Sequence, residues 1–476
     1  MAKSVPNENE SAPPVRSRRR VAVIVVAVVV VLGLLLPVSN LFLSPVSGTV
    51  LASTAQEHPS FAEAAAVLEH DCADCHSEQT RKPLYMWIPV ASGLIKRDIA
   101  TGLRYFDMFA ELPPPDGQSF AEPAMAKLEY ALDTESMPPA RYVALHWDRG
   151  LSDADEAALR AWITRTRREQ HRVEGVAAEF EVDALQPLPR SVQLSAAKVE
   201  LGDKLYHDVR LSKDNTLSCA SCHGLDKGGT DQAPVSTGVG DAKGPINAPT
   251  VYNSAYNIAQ FWDGRAADLQ EQAGGPVENP IEMASTWKEV LGKLSQDEAF
   301  VAEFTAVYPE GLSAENITDA IAEFERSLIT PNNRFDAYLR GDKTALAAEE
   351  LEGLRLFHEN ACANCHCGSI LGGRSFEHMG RRADYFADRG DVTEADYGRY
   401  NVTKDEDDRH AFKVPTLRNV ELTFPYYHDG TRATLEQAVA DMAKYQGYRD
   451  FTEAETAAVV KFLKTLTGEE RGGRLY

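Results

Sequence analysis

The chain has 476 residues, enough for about three domains that each bury an apolar core of their own. With 43% hydrophobic and 25% charged residues its composition is globular, which leaves disorder to the N-terminus alone. A net charge of −22 excludes a nucleic-acid backbone reader, which needs a basic face to displace counterions, but permits a basic or neutral redox partner.

A polar leader ends in Arg16-Ser17-Arg18-Arg19-Arg20, and an unbroken apolar run follows from Val21 to Leu36. With Pro37 to Leu43 it approaches the ~20 residues that span a bilayer. Arginines on its N-terminal side favour a cytoplasmic start. The expectation is a cytoplasmic segment 1–20, a single anchor 21–43 in the cytoplasmic membrane, and a periplasmic body. A cleaved signal peptide competes with this, since the small residues from Ala52 to Ala55 suit a processing site, but its apolar region would exceed the usual ~7–15 residues.

Six of the seven cysteines fall into Cys72-Ala-Asp-Cys75-His76, Cys219-Ala-Ser-Cys222-His223 and Cys362-Ala-Asn-Cys365-His366. Each is a c-type haem attachment pattern. Two thiols at this spacing reach the two vinyl groups of one porphyrin, and the adjacent histidine faces the iron. Structural zinc would gather four ligands locally and would not need a histidine after every second cysteine. Cys367 is left over and reads as a buried thiol.

Each motif follows a segment of helical patterning, around Phe61 to Glu69, Ala196 to Tyr206 and Ala348 to Phe357, and each unit ends in an amphipathic helix. The closing helices carry Leu159, Trp162 and Ile163 after Ser152-Asp-Ala-Asp155; Ile317, Ile321, Phe324 and Leu328; and Val459, Phe462, Leu463 and Leu466 after the capping box Thr452-Glu-Ala-Glu455. Long Gly- and Pro-rich stretches, Gly224 to Pro249 and Gly368 to Pro415, show almost no strand alternation. The fold expected is mainly α, with three cytochrome c-like haem domains at 50–180, 190–335 and 336–476 after one transmembrane helix. Linkers fall at Glu169 to Leu194 and near Pro331 to Arg340.

A haem that only carries electrons has both axial positions filled, whereas a catalytic haem keeps one open, so the sixth ligands decide function. In the first unit Met137, in Met137-Pro138-Pro139, is the candidate ligand opposite His76, with Met86, Met108 and Met125 as alternatives.

From about Ser195 to the C-terminus the sequence resembles the bacterial di-haem cytochrome c peroxidases. The resemblance is carried by Gly228-Gly-Thr-Asp231, Asn247-Ala-Pro-Thr250, Ala259-Gln-Phe-Trp-Asp-Gly-Arg-Ala266, Gly275-Pro-Val-Glu-Asn-Pro-Ile-Glu-Met283, Val414-Pro-Thr-Leu-Arg-Asn419 and Pro425-Tyr-Tyr-His-Asp-Gly430. With its extra haem domain and anchor, the whole chain is similar to the tri-haem branch that includes quinol peroxidases. The resemblance implies three covalent haems c and one Ca2+. It makes His223 the ligand of the peroxidatic haem, with Gln272 and Glu282 handling protons on the distal side. Trp262 would lie between the middle and last haems. His366 and Met442 would bind the iron of the electron-donating haem, with Met379 as the alternative. Calcium would take the Asn247 side chain and the carbonyls of Thr423 and Pro425, all oxygen donors as a hard cation prefers.

The family often places an iron-capping histidine in the loop where this chain has Val239, so the resemblance implies a peroxidatic site open in the resting enzyme. The implied activity is reduction of hydrogen peroxide, with membrane quinol or a cytochrome c as electron donor. Two readings stand against it. One is a MauG-like haem oxidase that modifies another protein, which has tyrosine in place of the second-haem methionine. The other is an electron-transfer cytochrome with all three irons closed.

Overall fold

The computed structural model describes residues 15–42, 49–79, 83–114, 119–470 and 473–474. Most of the leader 1–20, namely 1–14, and the last anchor residue, 43, lie outside the described residues. The protein is mainly α-helical, joined by irregular loops and short 3-10 turns. It divides into two compact units, one formed by 1–110 with 134–159 and the other by 111–133 with 160–476.

In the first unit a long helix Val15–Asn40 contains the apolar run. Its stretch Arg19–Asn40, 22 residues with an 18-residue window of mean hydropathy 3.3, is the one helix among the described residues long and apolar enough to cross a membrane. By length and composition this suits an anchor or a signal sequence equally. Its end is buried in the unit: Asn40 is 1% exposed and donates to the Tyr85 hydroxyl (3.1 Å) and the Leu145 carbonyl (2.7 Å). The Ala52–Ala55 stretch lies within the helix Val50–Glu57, capped by Thr49, with Leu51 and Thr54 buried. The helices Ala62–Asp71, Ala73–His76 and Pro89–Tyr105 complete the haem-motif part of this unit.

The second unit contains both the middle and the last motif, each framed by an opening and a closing helix. Ala196–Tyr206 packs on Ala314–Arg326, and Ala348–Glu359 packs on Glu453–Lys464. Both pairs cross at a glycine of the opening helix. A Cβ on Gly202 would stand 1.9 Å from the Ala320 carbonyl oxygen, and one on Gly353 would stand 2.0 Å from that of Ala458. This shared close approach is the internal repeat expressed in packing, and any side chain there would force the helices apart. The apolar faces read from the sequence are interior: Ile317, Ile321, Phe324 and Leu328 around one pair, Val459, Phe462, Leu463 and Leu466 around the other. Each such side chain contributes ~1.5–3 kcal/mol on burial.

Two features go beyond the sequence reading. The loop-rich stretch after Gly368 contains an antiparallel ribbon, Phe376–His378 paired with Ala411–Lys413. The segment 111–133 clusters with 160–476, a different partition from a first domain spanning 50–180. Ion pairs explain it: Arg167, 1% exposed, bonds Glu122 (2.8 Å) and Glu129 (2.6 Å), and Lys127 bonds Glu111 (2.5 Å) and Glu377 (2.9 Å). Buried charges of this kind require their partners, so the helix Glu122–Asp133 is fixed to the second unit.

Candidate active site

All seven cysteines are free thiols, so no Cys-x-x-Cys pair closes as a disulfide. Each pair lies on a short helical turn: Ala73–His76 holds Cys75, Cys219–Cys222 holds both thiols of the second pair, and Cys362–Asn364 begins the third. Burial pushes Cys72 and Cys362 up to about 12, keeping them protonated. Inert, paired thiols fit thioether attachment better than redox cycling.

The histidines fit the same cofactor. His76 Nδ1 lies 2.8 Å from the Phe106 carbonyl and His366 Nδ1 lies 3.2 Å from that of Leu371. A carbonyl partner on Nδ1 fixes the tautomer that leaves Nε2 as the ligating nitrogen. The His223 ring faces the backbone groups of Gly229 and Pro249, and the Tyr206 hydroxyl donates to the His223 carbonyl at 2.6 Å. Burial lowers the pKa of His223, and that of His366 to about 4, holding both rings in the neutral form that binds iron. The donor chemistry of all three motifs therefore suits haem c.

Around the middle motif, the helix Leu269–Glu278 carries Gln272 and leads into the turn that holds Glu282. Backbone bonds from Met283 to Pro276 (3.1 Å), from Ala284 to Asn279 (2.9 Å) and from Ser285 to Val277 (2.9 Å) fold this turn back on the helix. The Glu282 carboxylate accepts from Asn279 Nδ2 at 2.7 Å. Burial raises its pKa against the opposing influence of Arg265 and Asn279, so it is a half-buried acid rather than a solvated loop residue. Burial raises the pKa of Cys222, and the charges of Asp231 and Glu282 add to it. Val239 starts a short turn whose amide N–H donates to the Glu282 carbonyl at 2.8 Å. Gly238 beside it has no room for a side chain, because a Cβ would stand 2.1 Å from the Ile281 carbonyl oxygen. The Val239 turn is thus tied to the backbone of Glu282.

Trp262 joins the elements around the last motif. Its Nε1 donates to the Asn247 carbonyl (2.9 Å), its carbonyl accepts from Lys413 (2.8 Å), and its ring stands edge-on to Phe412 and His428 at 6.5 and 6.3 Å. It packs in one apolar cluster with Met379, Met442, Phe386 and Tyr445. Both candidate methionines are thus in this cluster, but they differ. Met379 is 8% exposed and its sulfur accepts from Gln446 Nε2 (3.9 Å), whereas Met442, on the helix Leu435–Tyr445, is half-buried.

Asn247 Nδ2 donates to the Ala233 carbonyl (2.9 Å), which orients Oδ1 away from that contact. Its backbone N–H donates to the His428 carbonyl (2.7 Å), fastening Asn247 to the 422–430 loop. Among the described residues no hydrogen bond ends on the carbonyls of Thr423 or Pro425. These three oxygens suit a hard cation. In the first unit Met137 is 42% exposed on its proline-flanked loop and Met108 is fully buried, while Met86 is half-buried and Met125 falls in the other unit.

Sequence reasoning assigned no role to His428, Asp396 or Arg389. His428 Nε2 bonds the Asp396 carboxylate (2.7 Å), and its ring stacks on Phe412 (4.3 Å). Burial opposes ionisation of Asp396, but hydrogen bonds from His428 and Arg389 outweigh it and hold the acid well below the usual range. Arg389 also binds Asp429 (2.5 Å), so the Asp396–His428–Asp429 group, compact enough for a metal, already has its counter-charge. The signal lay in the quoted Tyr427-His428-Asp429 run, but its partners are remote in sequence.

Paired thiols followed directly by a histidine, repeated on a helical scaffold, define a c-type haem protein. The profile described as di-haem cytochrome c peroxidase matches residues 196–344, and that of a haem-binding domain matches 43–165. The chain is 48% identical over 406 residues to "Cytochrome c peroxidase Ccp" of Escherichia coli strain K12, covering 84% of this chain and 86% of that one. It is 47% identical over 289 residues to "Cytochrome c551 peroxidase" of Nitrosomonas europaea, covering 60% and 85%. Among solved structures, a MauG-like protein associated with microbial copper homeostasis matches at 29% identity and TM-score 0.54, covering 59% of this chain and 95% of that one. The chain belongs to the di-haem cytochrome c peroxidase family.

Proposed function

We propose that the protein is a membrane-anchored periplasmic peroxidase with three haems c that reduces hydrogen peroxide to water. The observation that carries this reading is Glu282: a half-buried acid of raised pKa, held by Asn279 and tied through its backbone carbonyl to the Val239 turn. Relatives named cytochrome c peroxidase at 47–48% identity support the same chemistry.

The reaction is hydrogen peroxide plus two electrons and two protons giving two waters. Haem, when bound by His223 and its two thioethers, supplies the electrons that cleave the O–O bond. Glu282 moves a proton from the inner to the outer peroxide oxygen, and Asn279 holds its carboxylate in place. Gln272 orients peroxide as a neutral hydrogen-bonding partner. Val239 has no group that ligates iron, so its turn leaves the site open at rest. Trp262, hydrogen-bonded to Asn247 and embedded among Phe412, His428 and Met442, conveys electrons between the halves of the second unit.

His76 and Met137 would hold one electron-carrying haem, and His366 and Met442 the other; the hydrogen bond on the Met379 sulfur favours Met442. That methionine, rather than tyrosine, also stands against the MauG-like reading. The Asn247 side chain and the carbonyls of Thr423 and Pro425 would hold Ca2+. The domains proposed along the sequence are 50–180, 190–335 and 336–476, with the segment 111–133 of the first packed within the second compact unit. The burial of Asn40 and the folding of Ala52–Ala55 into a capped helix support an uncleaved anchor over 21–43 and a cytoplasmic segment 1–20. A tethered body suits a donor dissolved in the bilayer, so membrane quinol is the donor proposed, with a soluble cytochrome c as the alternative.

The test is Glu282→Gln. With haem content unchanged, kcat/KM for peroxide is expected to fall ~10²–10⁴-fold. In the parent enzyme the acid limb of the pH profile lies above the ordinary carboxyl value, and the variant loses that limb. A variant with the parent's rate and profile refutes the role of Glu282.

A further inference from the structure

Buried cations in the second unit come with carboxylates. Arg167 pairs with Glu122 and Glu129, Arg418 with Asp336 at 2.7 Å, Lys127 with Glu111 and Glu377, and Arg389 with Asp396 and Asp429. Desolvation demands this, because a cation out of water is costly unless an anion and hydrogen bonds compensate it.

Lys413 is different. It is 5% exposed, and among the described residues no carboxylate stands within ion-pair distance of it. Burial alone brings its pKa down to about 8, with no neighbouring charge of either sign contributing. A lysine so deeply placed is costly to charge unless an anion approaches its ammonium, and among the described residues no carboxylate does.

Its position is tightly defined. Lys413 ends the strand Ala411–Lys413 and faces Phe376 across the ladder. Its amide donates to the carbonyl of Trp262, and the preceding residue, Phe412, lies edge-on to the Trp262 indole and stacks on His428. The other strand of the ribbon follows the His366 motif in the chain, and Gly373 and Ser375 bond Val414 on the far side of Lys413 (2.7 and 2.9 Å). Lys413 is therefore held by backbone bonds next to the indole that links the two haem-binding halves.

Haem brings two carboxylates with it, and this is the anion class that the site lacks. We propose that the Lys413 ammonium forms an ion pair with a haem propionate beside Trp262, so that the prosthetic group supplies a counter-charge that no described carboxylate gives. Lys413 is then a cofactor-binding residue outside the attachment motifs. It fixes one edge of the porphyrin against the Trp262 strand, and its charge favours the reduced form of that haem. The inference rests on the haem-binding reading of His223 and His366.

The experiment uses the full-length protein matured with its haems. Haem content of the parent tests the underlying reading by itself, and a chain that takes up no haem at the second or third motif overturns that reading rather than this inference. In haem-loaded protein, cryo-electron microscopy is expected to place Lys413 Nζ within hydrogen-bond distance of a propionate oxygen. Spectropotentiometry of Lys413→Met, with haem content equal to the parent, is expected to lower the midpoint potential of one haem and leave the others unchanged. Lys413→Arg is expected to keep the parent value. Should Lys413→Met fail to mature, the parent structure and Lys413→Arg still decide. Density placing Nζ against water or a protein oxygen alone overturns the inference, as do unchanged potentials in fully loaded Lys413→Met.

Discussion

Glu325 sits on the closing helix Ala314–Arg326 at 5% exposure, with no hydrogen bond to its carboxyl among the described residues and Oε2 fully buried. Burial pushes its pKa up to about 8 against a weaker opposing influence of Arg326. The folded chain therefore holds this proton more tightly than the unfolded chain does. Its contribution is neutral below the ordinary carboxyl value of 4.5, becomes destabilising as pH rises from there, and levels off above about 8. At ~1.4 kcal/mol per pH unit, the penalty reaches about 3 kcal/mol at pH 7 and about 5 kcal/mol above pH 8. Glu325→Gln keeps shape and polarity but has no proton to lose. Thermal unfolding followed by circular dichroism should give parent and variant similar Tm values near pH 5, with the variant higher near pH 8, by on the order of 5 °C or more. Parallel Tm curves across that range would refute the claim that Glu325 is buried as a neutral acid.

Three further outcomes follow from the site. Trp262→Phe keeps the packing against Phe412 and His428 but removes the Nε1 donor to Asn247, so rapid-mixing spectroscopy should show slower electron arrival at the peroxidatic haem with haem content unchanged. Val239→His places an imidazole on the turn clamped to Glu282, and the resting enzyme should become low-spin and respond to peroxide only after prior reduction. Chelation of calcium, or Asn247→Ala, should lower both activity and Tm, and added Ca2+ should reverse the effect of chelation but not that of the substitution.

The haem framework was legible because its chemistry is local: two thiols and a histidine within five residues, framed by helices whose apolar periodicity stands out. Ile317, Phe324, Val459 and Phe462 are interior as that periodicity requires. What the sequence concealed depends on distant partners. The association of 111–133 with the second unit rests on Arg167 and Lys127, whose acids Glu122 and Glu377 lie up to hundreds of residues away. Strands of three residues, Phe376–His378 and Ala411–Lys413, are too short for alternation to register and pair across a long loop. Glu325 beside Arg326 reads as an ordinary helix-surface pair, and Lys413 as a solvated charge, until burial shows otherwise. His428 lay in a quoted motif, but its partner Asp396 carries no signature of its own.

The most direct test of the account is electron paramagnetic resonance of the oxidised, fully haem-loaded protein, joined to an assay of peroxide loss with a reduced quinol analogue. The account expects one high-spin haem among three and immediate, quinol-dependent turnover without prior reduction. Three low-spin haems, with no turnover before or after reduction, would contradict it and leave an electron carrier.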